Sequence, residues 1–269
     1  MQYQNFEDID FNKLYVEQKA KSTFKAKEKE SWDKKALSMN QRVHKSIYND
    51  EFLSLLDLDG ISSLLDIGCG VGNLSLKIAS KLNHVYSLDY SSKMLEILNE
   101  NAKEQNIKNI TTINKSWYDS WDEVPNTDLV IASRSMEVRD MKEALSKLND
   151  KANKKVVVSY KVGGSFVSQE ILDVLKRDII KKPDYIFLVN ILYSMGINAS
   201  VNFVQSEGRG TIYTSKEKFI ESVSWSIGSL RDDEIQSLEE YYNSLSEDKK
   251  LKEDFVYWAI LSWDKKVFN

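Results

Sequence analysis

A single cysteine, two histidines and two prolines are all that this 269-residue chain holds of those residues. The lone Cys69 rules out an internal disulfide and suits a reducing compartment, so a cytoplasmic location is expected. His44 and His84 lie far apart, and no Cys or His cluster has ligand spacing, so no metal is expected. Long hydrophobic runs are missing too. The longest apolar stretch, Ile186 to Ile197, is broken by Asn190 and Ser194 and is too short to span a bilayer, so no membrane partner is expected. The polar, acidic opening from Met1 to Asp10 does not resemble a secretory leader. A net charge of −4 gives the molecule no overall bias toward nucleic acid, and DNA is not an expected partner. With so few prolines, no Pro-rich linker marks a domain boundary, and there is no internal repeat. What remains, 42% hydrophobic and 29% charged, is an ordinary globular composition.

The most informative stretch is Leu64-Leu65-Asp66-Ile67-Gly68-Cys69-Gly70-Val71-Gly72-Asn73-Leu74. A short apolar run reads as a buried parallel strand, three glycines alternate, and Leu74 to Ala79 begins a helix. Strand, glycine turn and helix N-terminus together make a cradle for a nucleotide-like ligand, because glycine admits positive φ and close backbone approach. The spacing is Gly-x-Gly-x-Gly, with Asn73 where a dinucleotide fingerprint would carry its last glycine, so the match to a nicotinamide site is poor. A second acid follows about one βα unit later. His84 to Asp89 reads as the next strand, and an acid at its end is placed to accept hydrogen bonds from ribose hydroxyls.

On Asp66-Ile67-Gly68-Cys69-Gly70-Val71-Gly72 the chain resembles the class I S-adenosylmethionine-dependent methyltransferases, whose first motif is an acid followed by Gly-x-Gly-x-Gly. Asp89-Tyr90 with Met94 resembles that family's second motif. The resemblance implies S-adenosylmethionine as cofactor and S-adenosylhomocysteine as product. It implies cofactor contacts from Asp66, Gly68, Cys69, Gly70, Gly72, Asp89, Tyr90 and Met94, and from Ser116, Trp117 and Ser133 after later strands. Tyr90 and Met94 would pack on the adenine. The family often has an acid where this chain has Ser116-Trp117, although Asp119 is near. Cys69 is a small residue that fits the loop, with no catalytic role assigned.

Taken in order, the chain alternates. Strands are expected at 64–67, 84–89, 109–113, 127–132 and 155–160, with helices at 73–82, 91–105 and 140–148 between them. Ser91 is a good N-cap, Asp140 to Glu143 has capping-box spacing, and Thr214 to Glu217 is a further capping box. After Gly163-Gly164 helices are expected at 168–180, 184–195, 214–227 and 232–245, with strands at 199–205 and 255–263. The fold class is α/β: a Rossmann-like, seven-stranded, mostly parallel sheet whose last strand, on the resemblance, is antiparallel, with a helical cap. Residues 1–57 would form an N-terminal helical lid. Residues 58–269 would be the catalytic domain, with helical insertions at about 165–198 and 211–250. The lid region is basic, with Lys19, Lys21, Lys25, Lys27, Lys29, Lys34 and Lys35, and includes Trp32. A solvated helix face explains such a run equally well.

In open α/β sheets ligands lie beyond the carboxyl ends of the strands. Arg134, at the end of the fourth strand, could grip a carboxylate or phosphate, or pair with Glu137 or Asp140. By position alone Tyr160, Glu137 and Arg134 are the candidate catalytic residues. Arg134, Trp32, Tyr160, Tyr185 and Tyr193, with Phe187, are the candidate acceptor-pocket residues. The Asn/Asp-Pro-Pro-aromatic motif of amino-methylating DNA enzymes and the Pro-Cys of cytosine-C5 enzymes are both absent. The expected activity is in-line methyl transfer to a small-molecule acceptor. The alternatives are an RNA or protein acceptor, a non-catalytic S-adenosylmethionine-binding partner or sensor, and a dehydrogenase.

Overall fold

The computed structural model describes residues 5–24, 26–208, 214–251 and 255–265. Lys25 and residues 211–213, at the start of the second expected insertion, lie outside the described residues. The strands are β1 (Ser63–Ile67), β2 (His84–Asp89), β3 (Ile110–Asn114), β4 (Thr127–Ala132), β5 (Ala152–Lys161), β6 (Ser200–Glu207) and β7 (Phe255–Asp264). They form one seven-stranded sheet in the order β3-β2-β1-β4-β5-β7-β6. β1 to β5 are parallel, and β7 runs antiparallel to both of its neighbours. The chain moves outward from β1 to β3 and then returns to β4 on the other side, so the switch point lies between β1 and β4. Ligands bind at that crevice in sheets of this kind.

Alternation along the strands divides the core in two. Leu65, Ile67, Val130, Ala132, Val156, Val158 and Tyr160 face one way. They meet α1 (Phe11–Lys21), α6 (Met141–Lys151) and α8 (Tyr185–Ser194). Leu64, Leu129, Ile131, Val157 and Ile260 face the other way. They meet α3 (Ile47–Ser54) and α4 (Ser75–Ala79) through Tyr48, Phe52 and Ile78. Each such aliphatic side chain contributes about 1.5–3 kcal/mol on full burial.

The three helix starts whose caps the sequence singled out stand on side-chain caps. Ser91 accepts from the Met94 amide ahead of α5 (Ser92–Glu104), and Asp140 accepts from that of Glu143 ahead of α6. Ahead of α9 (Lys216–Ile227) the cap is Ser215, one residue later than the sequence pattern suggested, and it accepts from the Lys218 amide. Two expected helices are interrupted. The basic N-terminal stretch forms α1 and then α2 (Lys29–Val43), broken where Ser22 and Thr23 both donate to the Ile180 carbonyl. The helix after Ser168, α7 (Gln169–Leu175), stops early because Lys176 takes a left-handed backbone, φ 50°.

The first insert divides between two clusters. α8 lies on the sheet, with Leu188, Ile191 and Leu192 in the same cluster as Tyr15 of α1. α7, α9 and α10 (Asp232–Ser244) form a separate cluster around Phe24, Leu172, Phe219, Val223 and Leu238. A short α11 (Glu247–Leu251) leads back toward β7. No helix of the described residues is long and apolar enough to cross a membrane.

Candidate functional site

The glycine loop after β1 is built as its spacing implied, and its glycines do different jobs. Gly68, at φ +71°, is crowded: a Cβ there would stand 2.3 Å from the Cβ of Ser135. Ser135 is itself pinned by its hydroxyl, which donates to the Ile67 carbonyl at 2.6 Å. Gly70, at φ +56°, is the opposite case, since a Cβ there would meet nothing within 4 Å. Its backbone therefore faces open space, as the rim of a ligand cradle must. Its amide donates to Asp89 at 2.9 Å, and the other carboxylate oxygen of Asp89 accepts from the Ser91 amide at 2.9 Å. One acid thus ties the end of β2 to the glycine loop and keeps lone pairs free for a diol. Burial raises the Asp89 pKa, although these two amides oppose the shift.

Asp66 is placed differently from the expected contact with the cofactor. It is buried on the α4 side, where Ser75 donates to it at 2.7 Å and Ser87 donates to Ser75 at 2.9 Å. Burial pushes its carboxyl up to about 7. Cys69 is buried, and desolvation raises its thiol pKa, which leaves it an unreactive spacer. Met94 is buried against Ala36, Val71 and Ile97, so it packs under α2.

Beyond Asp89 a recess of about 260 Å³ is lined by Lys29, Tyr90, Asn114, Lys115, Ser116 and Asp119. Asn114 shapes it by donating to the carbonyls of Asp89 and Tyr90. Tyr90 donates to the Lys27 carbonyl at 3.3 Å, and burial first, then Asp89, lifts its pKa to about 12. Asp119 does not point away as a loose substitute for the missing acid. It accepts from the Ser116 amide at 2.6 Å and so fixes the turn. Trp117 donates to the Ser135 carbonyl at 3.0 Å and leans on Trp121, forming a wall between the ends of β3 and β4.

α2 lies across α5 and the loop. Asp33 accepts from the Ser91 hydroxyl, and Asn40 and Asn101 exchange hydrogen bonds while Asn101 also donates to the Val71 carbonyl. Trp32 meets Trp225 of α9 edge-on at 5.8 Å, and Lys27 and Lys35 both sit over the Trp225 ring.

The expected acceptor residues do not converge on one pocket. Ser133, Arg134 and Ser159 turn to the α3 side, where the Tyr48 hydroxyl bonds both serines at 2.7 Å. Tyr160 and Glu137 belong to the α1 side. The Tyr160 hydroxyl is buried beside that of Tyr15, and Tyr15 donates to the Val138 carbonyl at 3.0 Å. Desolvation raises the Tyr160 pKa further above its ordinary value. Glu137 is held by Lys19 at 2.6 Å and Lys182 at 2.8 Å. Desolvation alone would raise its pKa, but these two lysines bring it below the usual range. Tyr185 packs edge-on against Phe203, and Tyr193 is exposed beside Phe6. The strand period separates the two groups: Ser159 and Tyr160 are consecutive and must face opposite ways.

The model of the methyltransferase-domain family matches residues 58–258. The chain belongs to that family, the class I S-adenosylmethionine-dependent methyltransferases. An uncharacterized protein of Haemophilus influenzae is 33% identical over 260 residues, 96% of this chain and 97% of its own. The 23S rRNA (uracil(1939)-C(5))-methyltransferase of Aliivibrio salmonicida is 32% identical over 75 residues, 28% of this chain and 17% of its own. Among solved structures, the magnesium protoporphyrin IX methyltransferase of Synechocystis with bound S-adenosylhomocysteine shares the fold, with a TM-score of 0.52. It is 17% identical, over 81% of this chain and 82% of that one. The methyltransferase therefore uses S-adenosylmethionine. The open side of Gly70, the Asp89 carboxylate and the Tyr90–Ser116 recess fit its ribose and adenine. Among the described residues no group of three or more His, Cys, Asp or Glu is placed to hold a metal ion.

Tyr48, Ser159, Trp225 and Trp258 went unnoticed in the sequence. None lies in a motif, and each reaches the site through a contact across the sheet or cap.

Proposed function

We propose that this methyltransferase acts in the cytoplasm on a small molecule enclosed between the strand ends and a helical lid whose covering element, within the expected 1–57 region, is α2. One observation carries the choice of a small acceptor over RNA. Four of the seven lysines that kept RNA in view, Lys19, Lys27, Lys29 and Lys35, are partly buried and engaged, while Lys21 and Lys34 are exposed. Lys19 pairs with Glu137, Lys29 with Asp33 and Lys35 with Glu221, while Lys27 and Lys35 lie over Trp225. A nucleic-acid face needs cations free to displace counterions along a backbone. These residues instead fasten a lid.

When bound, S-adenosylmethionine supplies a methyl carbon on a positively charged sulfur that is already a good leaving group. The chain's own task is then alignment and exclusion of water, effects that together reach about 7–11 kcal/mol when the reacting atoms are held in line. Asp89 and Gly70 orient the ribose end, the Tyr90–Ser116 recess takes the base, and α2 with Trp32 and Trp225 keeps solvent out. Neither Glu137, neutralised by two lysines, nor Tyr160, buried on the far face, is placed to take a proton. Transfer without a base from either of these two residues follows from that arrangement.

The test is to incubate the protein with methyl-labelled S-adenosylmethionine and, separately, a small-molecule extract, total RNA and total protein. Label is expected in the small-molecule fraction, at similar rates for the wild type, Glu137→Gln and Tyr160→Phe. Label in RNA or protein would overturn the acceptor class, and a collapse in either variant would restore a base.

A further inference from the structure

We propose that Arg134 is the anchor for an oxyanion, a carboxylate or phosphate, carried by the methyl acceptor; this rests on the methyltransferase reading above. Arg134 follows β4 at the switch point. It is next to Ser135, whose side chain abuts Gly68 of the glycine loop. Its backbone is held hard. Its amide donates to Ser159 at 2.8 Å, and its φ of +56° places it in the left-handed region that an arginine occupies only under constraint. Its guanidinium lies over the Tyr48 ring at 4.1 Å and near that of Trp258 at 5.9 Å. Tyr48 in turn is fixed by its hydrogen bonds to Ser133 and Ser159, so the cation rests on a rigid aromatic bed.

What the guanidinium lacks is an acceptor. Among the described residues it makes no ion pair and no side-chain hydrogen bond. The acids that could have neutralised it are committed elsewhere. Glu137 serves Lys19 and Lys182, and Asp140 caps α6 and accepts from Asn12. Glu207 accepts from the Ser46 hydroxyl at 2.6 Å and the Ile47 amide at 2.7 Å, and attracts Arg134 only from a distance. A half-buried guanidinium with its forked donors unused, on a strained backbone beside the cofactor cradle, is costly unless a ligand completes it. A carboxylate or phosphate matches that fork, whereas a neutral acceptor would leave it unsatisfied. Arg134 keeps part of its surface exposed, and its Tyr48 bed belongs to the sheet face that carries α3, opposite to the face of Tyr160 and α8.

Calorimetry on the full chain tests this with two probes, inorganic phosphate and benzoate, each titrated with and without saturating S-adenosylhomocysteine. One of them is expected to bind saturably to the wild type, more weakly as salt rises, and which one binds identifies the source of the oxyanion. Arg134→Met should weaken that binding by about tenfold or more while S-adenosylhomocysteine affinity stays within about twofold. Arg134→Gly tolerates the left-handed backbone and so keeps the fold while losing the same binding. Absence of binding by both probes, or equal binding to both variants, overturns the proposal. A parallel loss of S-adenosylhomocysteine affinity overturns it too, by assigning Arg134 to the cofactor's own carboxylate. A wild type that takes the anion but not S-adenosylhomocysteine refutes the cofactor assignment and leaves the anion site standing.

Discussion

At the residue scale, the two glycines that face Ser135 and open space should respond oppositely to a methyl group. Gly68→Ala adds left-handed strain to a clash with a pinned neighbour, so a loss of about 2–5 kcal/mol in unfolding free energy is expected from urea melts. Gly70→Ala carries the backbone strain alone, about 1–2 kcal/mol, yet its methyl projects into the cradle. It should lose at least about tenfold in S-adenosylhomocysteine affinity while remaining folded. Equal affinity in Gly70→Ala would mean that the loop does not touch the ligand. Asp66 gives a pH signature. Its folded pKa of about 7 stands above the ordinary 3.8, so between those values the folded state binds more protons than the unfolded state. Stability contributed by the neutral carboxyl is present at pH 4 and is lost as pH rises to about 7. Asp66→Asn, which keeps a neutral side chain beside Ser75, should flatten that slope. Parallel slopes for wild type and variant across this window would show Asp66 to be ionised throughout.

At the element scale, the proposed lid α2 sits on α5 and the glycine loop rather than on the sheet, so its contacts can be weakened without dismantling the sheet. Asp33→Ala removes the acceptor of the Ser91 hydroxyl, and Trp32→Ala removes the edge-on contact with Trp225. Turnover is expected to drop about tenfold or more in the double variant through admitted water, with S-adenosylhomocysteine affinity little changed. Unchanged kcat would show α2 to be a fixed wall. Trimming the N-terminus is a poorer test, because Tyr15 of α1 is fully buried in the sheet's own core. The contrast between α1 and α2 shows where sequence reading stops. Period and caps place the strands, α5 and α6 to within a few residues, since Ser91 and Asp140 act locally. The glycine motif locates the cradle for the same reason. Whether a helix roofs a site or lies on the sheet depends on partners far along the chain. The aromatics of 185–193 looked like a pocket roof, but α8 spends Leu188, Ile191 and Leu192 on the sheet. For Arg134 the sequence left open an anion grip or a pair with Glu137 or Asp140; lysines from α1 and residue 182 take Glu137, and Asp140 caps α6.

At the scale of the whole molecule, the core is divided between two sheet faces and a third cluster in α7, α9 and α10, and the third is joined to the rest more thinly. Beside its apolar centre a buried ion pair ties its helices together. Glu234 of α10 is buried and receives two hydrogen bonds from Arg177, just beyond the left-handed turn that ends α7, while the Arg231 amide donates to it at 2.8 Å. Arg177 also donates to the Ser229 carbonyl, so one side chain closes α7, the end of α9 and the start of α10 into a unit. Arg177→Met leaves a buried carboxylate with only Arg231 to offset it. The cost should fall near the low end of what breaking a buried pair entails, about 3 kcal/mol. That energy is expected to appear locally. Native-state hydrogen exchange should show amides of α7, α9 and α10 opening about 100-fold more readily, with those of β1 and β4 unchanged. Because Trp225 of α9 is the surface on which Trp32 rests, the same variant should also loosen α2 and lower turnover, although Arg177 lies on the far side of the cap. Uniform acceleration across cap and sheet would instead show a single cooperative unit, in which the lid could open only by unfolding the enzyme.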